Sequence, residues 1–142
     1  KVADFGLAKS LDSAGLPSVT RTGDIAGTPL FMSPEQFWDF KHVKPAADVY
    51  AIGITLYLLL TGKFPFDFPS PLEQILKGRK MRDPVEIVLQ DEPLPVEKRK
   101  PDLPPSLADA VNRAIRKDAS ARFSSAAEFR AALEKAVKEG RR

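Results

Sequence analysis

Twelve consecutive residues, Val49 to Leu60, carry no charge and no proline, and this run constrains the fold more than any other stretch of the chain. Crossing a bilayer as a helix takes about 18–20 apolar residues, so the run predicts a buried helix and not a membrane span. Taken from Ala47 to Thr61, and apart from Asp48 at its N-terminal end, it is apolar on every face, which predicts a helix surrounded by other helices. Gly62 ends it, and Lys63-Phe64-Pro65-Phe66 turns the chain away.

The flanking sequence supplies the surrounding helices. Ser33-Pro34-Glu35-Gln36 reads as a helix start, with Ser33 as cap, Pro34 at the first helical position and Gln36 at the reciprocal capping-box position. Asp39 to Ala46 reads as a connector, and Leu72 to Lys77 as a short helix stopped by Gly78. The prolines between Arg82 and Pro105 predict an extended connection along the surface, with a turn of helix at Val85 to Leu89. Two amphipathic helices follow, one with Leu107, Val111 and Ile115 on its apolar stripe and one with Phe129, Leu133 and Val137. The second opens on the capping box Ser125-Ala126-Ala127-Glu128 and stops at Gly140. Ser10 to Thr28 has neither period and reads as a long loop, so the fold class is mainly α.

Composition narrows the chemistry. The 142 residues include 22 Lys and Arg against 19 Asp and Glu, and 43% are hydrophobic, which excludes a disordered tail. The net +3 is too small and its signs too mixed for a nucleic-acid binder. No cysteine means no thiolate zinc site and no thiol nucleophile, and His42 alone cannot build a multi-histidine cage, so any metal must sit on oxygens. The first residues, Lys1-Val2-Ala3-Asp4, contain neither a signal peptide nor an initiator methionine. The reading is a cytoplasmic segment cut from something longer, with no membrane contact of its own and an anchor elsewhere in the parent left open.

The chemistry-bearing motifs form an ordered series: Asp4-Phe5-Gly6, Gly27-Thr28, Ser33-Pro34-Glu35, Asp48-Val49-Tyr50-Ala51-Ile52-Gly53, then Lys117-Asp118 with Arg122. In this order and spacing the chain resembles the C-terminal half of a eukaryotic-like (Hanks-type) bacterial Ser/Thr protein kinase, from Val2 to about Leu133. The resemblance implies the helical C-terminal lobe of that fold, lacking the N-terminal lobe and the catalytic loop. It divides the chain into an activation segment at 1–35, a helical core at 36–137 and the start of a linker at 138–142.

Roles follow from the resemblance residue by residue. Asp4 would bind the Mg2+ (or Mn2+) that accompanies ATP, Phe5 would report active or inactive packing, and Gly6 would free the backbone of the loop that follows. Thr20 and Thr22 resemble the paired phosphorylation site of bacterial members, where a phosphate orders the loop against arginines. Gly27 and Thr28 match the substrate-docking turn of Ser/Thr kinases. Glu35 and Arg122 match a structural ion pair across the lobe, and Asp48 matches the acid that fixes the catalytic loop onto the apolar helix. His42 reads as a solvated loop residue without a paired acid nearby. Trp38, Phe64, Phe66 and Phe68 read as packing.

The glycine-rich loop, the strand lysine and the H-R-D-x-x-x-x-N segment are absent from the chain. No catalytic residue is therefore expected within it, and the chain by itself is expected to be inactive. It reads as a fragment of a Ser/Thr kinase acting on a protein substrate, with a non-catalytic, kinase-derived scaffold binding protein partners as the alternative. The apolar helix would lie partly bare without its missing half, so the isolated chain is expected to dimerise, exchange elements or pair with that N-terminal half.

Overall fold

Proline begins four of the five α-helices found among the described residues, which in this computed structural model are 29–39, 42–78, 80 and 82–140. Helices α1 (Pro45–Thr61), α2 (Pro71–Leu76), α3 (Pro84–Gln90) and α4 (Pro105–Ala114) each place it in the first turn. Its missing N–H would have had no partner there, and its fixed φ already suits a helix. α5 runs from Ala126 to Gly140. Short 3-10 turns lie at Pro29–Phe31, Pro34–Phe37, Val96–Lys98 and Ala119–Ala121, and no strand occurs among the described residues.

α1 is the axis of the fold. Val49, Tyr50, Ile54 and Tyr57 on it are fully buried, and it packs against α4 and α5, which also pack on each other. One cluster joins Tyr50, Ile54 and Tyr57 to Leu30, Phe66, Ile87, Val88, Val96 and Val111; a second joins Val49 to Ala110, Ala114, Phe123 and Phe129. Gly53 sets the closeness of the α1–α4 contact: a Cβ there would lie 2.9 Å from Ala114 Cβ and 2.9 Å from Ile115 Cγ2. Gly62, at φ +69°, ends α1 with its N–H donating to Leu58 O.

Several expectations change. α1 begins at Pro45, two residues before the apolar stretch, because a proline at the first position starts a helix well. It is partly bare, as expected for the isolated chain: Ile52 is 44% and Leu59 78% exposed, with Asp48 and Thr55 on the same stripe. The proline-rich connection contains the expected turn of helix, as α3, but is more buried than a surface strap: Pro84 and Pro95 start turns that bury Ile87, Val88 and Val96. On α5 the buried residues are Phe129 and Ala136, while Val137 is exposed, because 3.6 residues per turn carries a strict i+4 series round the helix. Its capping box is spread over two serines. Ser125 Oγ accepts from Glu128 N–H, but the Glu128 carboxylate accepts from Ser124 N–H at 2.7 Å.

Phe64, Phe66 and Phe68 do pack, in a chain of ring contacts, tilted between Phe66 and Phe68 and edge-on from Phe68 to Phe64 and on to Phe31 at 5.4 Å between centroids. Trp38 does not, and is 78% exposed. No described helix is long and apolar enough to cross a membrane.

Candidate functional site

Glu35 is presented by the 3-10 turn Pro34–Phe37, and local chemistry holds that turn in place. Gln36 Oε1 accepts from Ser33 N–H at 2.8 Å and from Ser33 Oγ–H at 3.0 Å, and Ser33 is fully buried. Arg122 comes from the opposite end of the chain. It follows the turn Ala119–Ala121, whose start is capped by Asp118 accepting from Ser120 N–H at 2.9 Å.

The two side chains form a bidentate pair, Arg122 Nη1 to Glu35 Oε1 at 2.6 Å and Nη2 to Oε2 at 2.8 Å. Three backbone carbonyls take the remaining donors: Arg116 O from Nε at 2.5 Å, Lys117 O from Nη2 at 2.9 Å, and Ala46 O from Nη1 at 3.0 Å. A guanidinium has five N–H groups, so every one is satisfied. The Arg122 side chain is 0% exposed and that of Glu35 34%, so the cation is enclosed and the anion keeps an edge in solvent. The Tyr50 ring lies against the guanidinium, 4.9 Å from centroid to Cζ.

Electrostatics follow this geometry. Burial works to raise the Glu35 pKa, but the hydrogen bonds and charge of Arg122 outweigh it and hold the carboxyl below its ordinary value. Burial pushes the Tyr50 phenol well above its usual range. With all five donors committed and the carboxylate kept ionised, the arrangement has no proton to give or take. It is a cross-brace joining the turn after residue 33, the first turn of α1 and the segment before α5.

Asp48 lies exposed in the first turn of α1, where Lys44 occupies the cap position. His42 Nδ1 stands 2.9 Å from Asp39 Oδ1, so an acid does lie beside it, and both side chains are exposed. Asp4, Phe5, Gly6, Thr20, Thr22, Gly27 and Thr28 fall outside the described residues. Among the described residues no three His, Asp or Glu side chains gather into a set able to hold a metal ion. Sequence reasoning missed the three carbonyls that receive Arg122, because backbone acceptors leave no mark in side-chain identity. It also missed Lys117 as a contact-making residue.

The protein kinase domain family matches residues 1–136 of the chain. The chain belongs to the protein kinase family. Kinase relatives match along almost its whole length, among them serine/threonine-protein kinase pkn3 of Myxococcus xanthus, 38% identical and covering 100% of this chain but 24% of that protein. PknB of Mycolicibacterium smegmatis is 36% identical over 94% of the chain and 19% of the relative, and PknA of Mycobacterium tuberculosis 35% identical over 100% and 29%. The chain thus spans less than a third of each of these bacterial kinases. Its mainly helical architecture is that of the helical lobe of the kinase fold, and the Glu35–Arg122 brace spans that lobe.

Proposed function

We propose that the chain is the helical lobe of a serine/threonine protein kinase, contributing to ATP-dependent phosphoryl transfer onto protein substrates in the intact protein and inactive by itself. The observation that carries this reading is the fully satisfied Arg122 fork onto Glu35, 87 residues apart in a chain whose other motifs follow kinase order. Asp4 would be this chain's ligand to Mg2+ or Mn2+, which screens the nucleotide's phosphate charge. Gly27 and Thr28 would position the substrate, and Thr20 and Thr22 would accept regulatory phosphate. Asp48 would hold a catalytic loop supplied from outside the chain. Ile52 and Leu59, exposed on the same stripe of α1, would be covered by the missing N-terminal half, or by a second copy when the chain is alone.

The test is Mg2+-dependent transfer from labelled ATP in the intact protein. The expected result is incorporation at Thr20 or Thr22 and onto an added protein substrate, abolished by Asp4→Asn. An intact, folded protein that transfers nothing would refute the enzyme reading and leave the non-catalytic scaffold.

A further inference from the structure

The end of α3 is held from a distance by one lysine. The last carbonyls of a helix have no partner within it, and Lys117 Nζ supplies one, donating to Leu89 O at 2.6 Å and to Asp91 O at 3.1 Å. Asp91 is itself fixed on its other side, where Arg82 donates Nη1 to Oδ2 at 3.1 Å and Nη2 to Oδ1 at 2.9 Å. The Arg82 N–H in turn donates to Gln74 Oε1 of α2 at 2.9 Å, and Gln74 is buried. The point that the Lys117 ammonium grips is therefore anchored.

The main chain of the same residue faces another partner. Lys117 O and Arg116 O are two of the three carbonyls that receive Arg122. A guanidinium is planar, with its five donors at fixed angles, so two carbonyls on its Nε/Nη2 edge determine where the adjacent Nη1/Nη2 edge points. Hydrogen bonds weaken steeply off line, and a shift of the 116–117 backbone turns the fork away from Glu35.

We propose that Lys117 is a positioning residue for Arg122. Its side chain, pinned to the end of α3, sets the two carbonyls that aim the guanidinium at Glu35. The assignment rests on these contacts alone and stands whether or not the intact protein transfers phosphate.

The test uses the full chain with 15N-labelled arginine. The Arg122 Hε, enclosed and bonded to Arg116 O, should exchange slowly with solvent in the unaltered protein. In Lys117→Met it should exchange at least tenfold faster, after correction for global stability, and Lys117→Arg should restore slow exchange. In a double-mutant cycle, the effect of Lys117→Met on the unfolding equilibrium constant should be at least fivefold smaller in a Glu35→Gln background. Should Lys117→Met not fold, Lys117→Gln is measured against the same criteria. Unchanged Hε exchange together with additive effects would overturn the proposal, reducing Lys117 to a cap on α3.

Discussion

Arg122→Ala isolates the contribution of the cross-brace. The substitution removes five hydrogen bonds at once and leaves Glu35 and the carbonyls of Ala46, Arg116 and Lys117 without their donor. Breaking an enclosed ion pair from one side typically costs about 3–5 kcal/mol. Glu35 is 34% exposed, so water recovers part of that loss at the carboxylate. The lower part of the range, about 3–4 kcal/mol, is the appropriate figure. It is a large fraction of the roughly 5–15 kcal/mol that holds a typical domain together. At about 2–4 °C per kcal/mol for a chain of this size, Tm should fall by roughly 6–16 °C, with aggregation of the opened chain on heating. Thermal melting followed by circular dichroism at 222 nm, backed by urea titration, measures this directly. A Tm within about 2 °C of the unaltered protein would refute the reasoning, because no enclosed five-bond cation can be removed at so small a loss.

Acid should act through the same brace: with its folded pKa lowered, Glu35 contributes stability that is complete above its ordinary value of 4.5 and is lost as pH falls through the folded value, so Glu35→Gln should flatten that part of a urea-midpoint profile. Gly53→Ala should destabilise by about 1–3 kcal/mol in urea titration despite alanine's better helix propensity, since its Cβ would meet Ala114 and Ile115 at 2.9 Å. Tyr50→Phe should leave Tm unchanged or raise it, because the buried Tyr50 hydroxyl has no hydrogen-bond partner among the described residues, and a fall equivalent to more than about 1 kcal/mol would show that the hydroxyl is paired. If the exposed face of α1 drives association of the isolated chain, light scattering should report a monomer for the double variant Ile52→Ser, Leu59→Lys and a larger species for the unaltered chain.

Much of the helical lobe was legible because its signals are local. The apolar run located α1, Gly62 marked its end, and the two amphipathic stretches located α4 and α5. The helices after Pro84 and Pro105 were legible, since a proline there sits where a helix needs no N–H; what the proline count hides is the burial of Ile87, Val88 and Val96 along the connection. Hydrophobicity marked α1 for burial but names no neighbour to supply it, and the bare stripe at Ile52 and Leu59 matches the partly bare helix expected of the isolated chain. Glu35 and Arg122 were connected only through resemblance to a family, since no periodicity reaches across 87 residues. The carbonyl cradle around Arg122 was invisible, being built from main-chain atoms that every residue type shares.

The prolines at the helix starts also determine where the molecule can be cut. Junctions between loop and helix are the sites a protease usually nicks first, yet at Lys44–Pro45, Ser70–Pro71, Asp83–Pro84 and Pro104–Pro105 the residue after the scissile bond is an imino acid. Most endopeptidases, trypsin included, do not cleave such bonds. Limited digestion should therefore spare the threshold of each of these helices and fall on the links between them, releasing pieces that still carry their starting proline.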